Sequence, residues 1–231
     1  MLRSRGLAED GPCQDPSEMF LKMLWVIANF IVIIYLMKKM LIAEEEYNRE
    51  IFNDTDFSKQ IIASGNFTNC IFNKCEFVES DLLGSCFYDC KFKNCNFVLT
   101  KIKNTNLQNI IFEECKINSV NFSEANRFLM SLNFLECQLN NSVFSQLKLI
   151  KTDFKNCLVK NCNFDCANLS EADFRGSDLI NSIFMNTNLT KANFIDARNY
   201  SINPLNNKLI KAKFSSPEVL HLLDEFEVNI E

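Results

Sequence analysis

Large apolar residues recur at every fifth position through most of this chain, and phenylalanine recurs at every twentieth. The residues at the twenty-residue spacing, with a single step of twenty-two, are Phe52, Phe72, Phe92, Phe112, Phe134, Phe154, Phe174 and Phe194. The shorter period fits neither an amphipathic helix, which repeats every 3.6 residues, nor a strand, which alternates every second residue. Self-similarity at a fixed period is instead typical of solenoid architectures.

A chain that turns a corner every fifth residue accounts for this spacing. Each side then places one large residue, the centre, and one small residue, two positions before it, toward the interior. The other three residues face water. Four such sides make a coil of twenty residues, and successive coils stack through parallel backbone hydrogen bonds at about 4.8 Å. The pattern therefore predicts an all-β, four-sided β-helix of about seven to eight coils over residues 50–200.

The period breaks once, between Ser123 and Asn133. Phe122 and Phe134 are twelve residues apart, where ten would keep the register. Insertions in repeat arrays form surface loops that often carry function. We therefore predict that a bulge over these residues binds a partner: Arg127, Phe128, Leu129 and Met130. The alternative is a bulge without function, in which Phe128 turns inward to refill the core.

Two segments precede the repeats. Residues 1–18 are polar, and residues 19–39 predict a hydrophobic helix whose apolar part, 19–37, approaches the length of a membrane span. If it spans, Lys38 and Lys39 keep the repeat domain in the cytoplasm, anchored to the inner membrane. The alternatives are a helix packed on the repeat domain, or a non-native extension upstream of a start at Met40.

The C-terminal segment, residues 201–231, follows the last regular repeat. Apolar residues at helical spacing predict a short amphipathic helix over residues 217–226. The last coil of a β-helix leaves an open edge, which invites pairing. We therefore predict that this helix caps that end or joins two copies there, through Val219, Leu222, Leu223 and Phe226.

Composition narrows the possible functions. The 231 residues carry a net charge of −5, which disfavours a protein that must neutralise nucleic-acid phosphates. Most of the 11 cysteines lie two positions before a repeat centre, so we interpret them as small buried thiols in a reducing compartment, not as disulfides or metal ligands. There is one histidine, His221, and no catalytic motif. We expect no enzymatic activity, no cofactor and no metal.

The five-residue unit resembles that of the pentapeptide-repeat family, which reads A(D/N)LXX. Three stretches match it closely: residues 167–171 (ANLSE), 172–176 (ADFRG) and 192–196 (ANFID). The resemblance implies a right-handed quadrilateral β-helix. The Cys- and Phe-rich version resembles the Qnr quinolone-resistance proteins and the microcin immunity protein McbG. These relatives imply a partner, DNA gyrase or topoisomerase IV, protected by imitation of duplex DNA, and a homodimer formed through the C-terminal end. The alternative is a rigid interaction scaffold, membrane-tethered or free, with another protein partner.

Overall fold

The computed structural model describes residues 22–29, 45–226 and 228. Residues 22–29 are helical and belong to a unit separate from the repeats. The polar segment 1–18 and the rest of the predicted helix 19–39 lie outside the described residues. Within the described ranges, no helix is both long enough and apolar enough to cross a membrane.

The repeats fold into short strands, most of them three residues long. They are β1 (Glu46–Asn48), β2 (Ile51–Asn53), β3 (Asn66–Thr68), β4 (Ile71–Asn73), β5 (Cys86–Tyr88), β6 (Lys91–Lys93), β7 (Asn106–Gln108), β8 (Ile110–Glu113), β9 (Leu132–Leu135), β10 (Phe154–Lys155), β11 (Asn193–Phe194) and β12 (Lys213–Phe214). Two 3₁₀ helices cover Phe122–Glu124 and Glu218–Phe226.

The strands pair in parallel with partners one coil away. One sheet has the order β1-β3-β5-β7, a second has β2-β4-β6-β8-β9-β10, and β11 pairs with β12. Isolated parallel bridges continue the same twenty-residue register where no strand is long enough to be assigned, as between Asp153 and Asp173. The fold is a parallel β-solenoid of about eight turns, so the sequence pattern predicted the architecture correctly.

Each turn has four sides, defined by their repeat centres. The first side has Tyr47, Phe67, Phe87, Leu107, Arg127, Leu149, Leu169, Leu189 and Leu209. The second side has Phe52, Phe72, Phe92, Phe112, Phe134, Phe154, Phe174, Phe194 and Phe214. The third side has Phe57, Phe77, Phe97, Ile117, Leu139, Val159 and Leu179. The fourth side has Ile62, Leu82, Ile102, Phe122, Phe144, Phe164, Phe184 and Ile202.

The rings on the second side stack face to face along the whole solenoid. Their centroids are between 4.6 Å, for Phe72 and Phe92, and 5.3 Å, for Phe112 and Phe134. Rings on adjacent sides meet edge to face, as Phe92 and Phe97 do at 5.2 Å and 83°. Both geometries suit the aromatic quadrupole, and each buried ring also removes a large apolar area from water, worth about 1.5–3 kcal/mol.

The corners between sides require a left-handed backbone conformation. The residue two positions after most centres has a positive φ, at values such as 60° for Arg49 and 51° for Lys74. Only two glycines take this position. The strain at these residues is offset by a regular hydrogen bond between coils, in which the corner N–H donates to a carbonyl of the next coil, for example Arg49 N to Thr68 O at 2.9 Å.

The coils extend beyond residues 50–200 at both ends. Tyr47 stacks on Phe67 at 5.0 Å, one side before the predicted start. Phe214 stacks on Phe194, also at 5.0 Å, and thereby adds a ninth ring to the second side. The sequence indicated these ends poorly because the flanking units lack neighbouring repeats on one side.

The C-terminal helix, predicted over residues 217–226, is a 3₁₀ helix over Glu218–Phe226. A 3₁₀ helix has three residues per turn, so positions three apart align. Val219 and Leu222 are consequently both half-buried, and Leu222 packs against the core. The other two predicted cap residues, Leu223 and Phe226, lie on a different face with Leu220 and are exposed.

Candidate protein-binding surface

The break in the sequence pattern corresponds to one unit whose centre is an arginine. Residues 125–129 (ANRFL) have the small buried residue, Ala125, and the positive-φ corner residue, Leu129, of an ordinary unit. Asn126 bridges to Asn106 of the coil before it, as the register requires. Arg127 therefore occupies the position where other units bury a large apolar side chain. We call residues 125–129 the arginine unit.

The two inserted residues are Met130 and Ser131, and not the residues around Phe128. The next unit begins at Leu132, which pairs with Ile110 in regular register. Ser131 closes the insertion, because its N–H donates to Leu107 O at 3.0 Å and its carbonyl accepts from Ile110 N at 2.9 Å. The dipeptide Ala125-Asn126 matches the family unit and could have revealed this register from the sequence.

Phe128 does not refill the core, so that part of the alternative interpretation of the bulge is wrong. Its side chain is 76% exposed, and the neighbouring Leu129 is 58% exposed. The turn that presents them is ordered, since Asn126 Oδ1 accepts a hydrogen bond from Phe128 N at 3.0 Å. Burying a guanidinium without an ion-pair or hydrogen-bond partner costs free energy, which explains why Arg127 and the residues beside it are exposed.

Other residues fill the space that Arg127 leaves. Met130 is half-buried and packs against the core. Large side chains also occupy neighbouring positions that are small elsewhere, two before a centre, and they are fully buried: Ile110, Leu132 and Leu147. A small internal cavity of about 20 Å³ remains in the coils before the arginine unit, with Leu107, Phe112 and Phe122 among the residues that line it.

The arginine unit also interrupts the backbone pairing of the first side. Lys148, in the coil after the arginine unit, bridges to Asn168 of the following coil. Across the described part of the solenoid, no backbone bridge joins the arginine unit to residues 147–151. The two coils are held together there by the other three sides.

Cations without ion-pair partners follow this interruption along the first side. In the described structure, no carboxylate lies within 4.0 Å of them: Arg127, Lys148, Lys151, Lys208 and Lys211. Lys191 lies on the same side but pairs with Glu171 at 3.7 Å. The first side is thus basic from the arginine unit to its C-terminal end.

The second side has mixed charges that form ion pairs. Lys93 Nζ donates to Glu113 Oε1 at 2.7 Å, and hydrogen bonds from Lys91 and Lys93 hold the pKa of Glu113 below its usual value. Further along the same side, burial alone would raise the pKa of Asp173. The hydrogen bonds from Arg175 outweigh burial, and the pKa of Asp173 is lowered.

The small inward position is a hydrogen-bond donor site. Its thiol or hydroxyl donates to the carbonyl of a centre in the preceding coil, as Cys95 Sγ does to Phe72 O at 3.3 Å and Thr100 Oγ1 to Phe77 O at 2.7 Å. The sequence suggested only small volume at this position. The observed geometry explains why Cys, Ser and Thr alternate there, since each can donate to that carbonyl.

Two of the core thiols are held in their protonated form by burial. Burial raises the pKa of Cys90 and Cys162 to about 12, so both are neutral thiols near pH 7. The described residues contain no group of three or more His, Cys, Asp or Glu side chains placed to hold a metal ion. His221 contacts Asp224 at 3.2 Å on the exposed face of the C-terminal helix.

The C-terminal end of the solenoid is apolar and accessible. Leu220, Leu223 and Phe226 form a stripe along the 3₁₀ helix and are 42%, 39% and 46% exposed. Leu205 and Ile210 are exposed nearby in sequence. The stripe follows the last ring pair, Phe194 and Phe214, along the chain.

Comparisons with known proteins agree with this geometry. A family profile described as a pentapeptide repeat region matches residues 65–128, and a second, described as pentapeptide repeats (8 copies), matches residues 167–198. A search of curated proteins finds no significant sequence match.

Several solved structures align with this chain. A trypsin-treated variant of QnrB1, a plasmid-mediated fluoroquinolone resistance protein, aligns at 18% identity and a TM-score of 0.45, covering 82% of this chain and 93% of its own. HetL from the cyanobacterium Nostoc, a pentapeptide repeat protein involved in heterocyst differentiation regulation, aligns at 15% identity and a TM-score of 0.33, covering 74% and 87%. A pentapeptide repeat protein of the Arabidopsis thaliana thylakoid lumen aligns at 19% identity and a TM-score of 0.24, covering 55% and 66%.

The parallel pairing at twenty-residue intervals, with one large and one small residue inward on each side, defines a β-solenoid of stacked four-sided coils. The two profile matches lie within those coils, and over residues 65–128 and 167–198 the chain is similar to pentapeptide-repeat proteins.

Proposed function

We propose that this protein is a non-enzymatic scaffold that binds a protein partner. The observation that supports this most directly is the arginine unit, where an ordered turn holds Phe128 76% exposed on an otherwise regular solenoid. Exposed aromatic side chains on rigid elements are typical anchors of protein interfaces. A rigid support also lowers the entropy that binding would otherwise cost.

Affinity capture with a matched variant tests the scaffold function. The immobilised full chain and its Phe128→Ser variant are exposed to the same cell extract, and retained proteins are quantified by mass spectrometry. We expect a protein that is retained by the wild type and depleted by Phe128→Ser. Leu99→Ser is the control, because Leu99 is 51% exposed at a corner of the third side, and this variant should retain the same protein. Equal retention of every protein by all three chains would argue against a role for this surface.

A finer form of the proposal names DNA gyrase or topoisomerase IV as the partner. The Cys- and Phe-rich repeat and the net charge of −5 support it. Imitation of duplex DNA is supported less well, because a duplex mimic needs a surface of one negative sign. Here the second side alternates in sign, and the longest run of unpaired charge on the first side is positive.

A supercoiling assay separates this finer form from the general one. Gyrase is assayed with a fluoroquinolone, in the presence and absence of the chain. We expect restored supercoiling if the chain protects the enzyme. Neither protection nor binding to gyrase or topoisomerase IV would reject the topoisomerase partner and leave the scaffold function to the capture experiment.

We also propose that two copies join through the C-terminal end. The apolar stripe Leu220, Leu223 and Phe226 supports this, because stripes of this kind on a soluble surface often mark interfaces. Sedimentation equilibrium of the wild type and of Leu223→Asp tests it. We expect a dimer that dissociates in the variant, whereas a monomeric wild type at high protein concentration would contradict the proposal.

A further inference from the structure

We infer that the arginine unit and the coil after it form a docking site for an acidic peptide segment that carries an apolar side chain. This inference rests on the proposed scaffold function and specifies the chemistry of its partner. The site consists of six residues on the first side: Arg127, Phe128, Leu129, Lys148, Ile150 and Lys151.

The apolar part of the site lies across two successive coils. Phe128 and Ile150 hold the same position in their units, one residue after the centre, and Leu129 is the corner residue beside Phe128. Their side chains are 76%, 39% and 58% exposed. Phe128 and Ile150 lie at equivalent positions of successive coils, which the other three sides hold together, so one apolar side chain of a partner can reach both.

The charged part surrounds these residues. Arg127 precedes Phe128, whereas Lys148 and Lys151 lie on either side of Ile150 along the chain. In the part of the solenoid that the structure describes, none of the three has an ion-pair partner, unlike Lys191, Lys155 or Arg175. Carboxylates of a partner would therefore gain new ion pairs without first breaking existing ones.

The extent of the site favours a peptide over larger anionic surfaces. Beyond Ile150, the equivalent outward positions are Ser170 and Thr190, so the apolar area ends after two coils. A membrane would contact a wider apolar area than this. A nucleic acid would bring further phosphates close to Glu171 and to the carboxylates of the adjoining sides, which repel them. A short acidic segment meets only the basic part.

Peptide selection on the full chain tests the inference. A phage library of random peptides is panned against the immobilised protein, and the enriched peptides are sequenced, synthesised with fluorescein and titrated by anisotropy. We expect Asp and Glu to be enriched around a Phe, Trp or Leu. Phe128→Ser should weaken binding of the selected peptide by about tenfold or more, because it removes the anchor. The double variant Arg127→Glu/Lys148→Glu should weaken it by about tenfold and make it less sensitive to salt.

A matched control changes the same charge elsewhere. Lys101 and Lys103 are exposed on the fourth side and also have no ion pair within the described residues. The variant Lys101→Glu/Lys103→Glu should bind the peptide within about twofold of the wild type. Thermal unfolding of all variants checks that each is folded, as expected for substitutions of exposed side chains.

Three results would overturn the inference. The first is that the selected peptides lack acidic residues. The second is that binding survives Arg127→Glu/Lys148→Glu but is lost in Lys101→Glu/Lys103→Glu. The third is that no peptide is selected. Phosphatidylserine and phosphatidylcholine vesicles and a single-stranded oligothymidine are titrated in parallel. The inference would also be wrong if vesicles or the oligonucleotide bound through Phe128 while no peptide bound at the site. The capture experiment judges the scaffold function separately, since a partner retained independently of Phe128 preserves that function and removes this site.

Discussion

The first and second sides of the solenoid use the same five-residue unit but differ in their centre residues and in their surface charges. The second side keeps phenylalanine at every centre from Phe52 to Phe214, and its rings stack without a gap. The first side changes from phenylalanine to leucine after Phe87 and carries Arg127 at one centre. The second side has paired surface charges, whereas the first side has unpaired cations beside exposed apolar residues.

This difference shows how a repeat protein can carry an interaction site without losing its core. Each coil is held by four sides, so the pairing of one side can lapse where the other three continue. Near Arg127, Met130 packs against the core, and large residues are buried at positions that are small elsewhere. The second side keeps an unbroken stack of rings, whereas the first side presents unusual residues.

The largest expected effect comes from breaking the second side. Phe154 is fully buried and stacks on Phe134 and Phe174 at 5.2 Å and 4.8 Å. Phe154→Ala should lower the free energy of unfolding by about 3–5 kcal/mol, because it removes the ring and leaves a cavity. The same substitution at the exposed Phe128 should change it by less than about 0.5 kcal/mol. Urea denaturation measures both, and similar losses would show that Phe128 packs inward in solution.

The next effect concerns the packing of Met130 beside the arginine unit. Met130 is half-buried against the core, so Met130→Ala should cost about 1–2 kcal/mol, less than a fully buried methionine. Arg127→Ala should cost less than about 0.5 kcal/mol, since the guanidinium has no partner in the described residues. Urea denaturation again supplies the measurement. A larger loss for Arg127→Ala than for Met130→Ala would mean that the arginine, and not the methionine, supports this coil.

The sequence predicted the repeat, its twenty-residue coil and the parallel stacking, because the centre positions repeat with few exceptions. The sequence indicated the region of the arginine unit but not its register. Arg127 stands at a centre, where a large apolar residue is expected, although the other residues of 125–129 fit the five-residue unit. The apolar spacing of the C-terminal segment indicated a helix but not its type, and the structure has a 3₁₀ helix over Glu218–Phe226. The donor role of the inward cysteines depends on carbonyls a coil away, which spacing alone does not reveal.

A smaller effect tests how the coils are tied together at the second side. Cys95 donates to Phe72 O of the second side at 3.3 Å, and serine or threonine makes the same bond elsewhere at shorter distances. Cys95→Ser should therefore stay within about 0.5 kcal/mol of the wild type. Cys95→Ala should cost about 1 kcal/mol, since it leaves that carbonyl without its side-chain donor. Urea denaturation under reducing conditions measures the difference, and equal stability of the two variants would show that only the small volume matters.

The smallest effect concerns one ion pair of the second side. Asp173 accepts hydrogen bonds from Arg175, the shortest at 2.7 Å, and its pKa is lowered in the folded protein. A carboxyl with a lowered pKa stabilises the fold above its unfolded pKa of about 3.9, and that contribution is lost as pH falls through the folded pKa. Asp173→Asn should therefore cost up to about 1 kcal/mol at pH 7 and almost nothing in strong acid. Glu79→Gln is the control, because Glu79 has no ion pair in the described structure and should show no such pH-dependent difference. Urea denaturation at both pH values measures the loss of free energy of unfolding. A loss for Asp173→Asn that persists in acid would mean that the side chain acts through packing. The ion pair with Arg175 would then have no effect on stability.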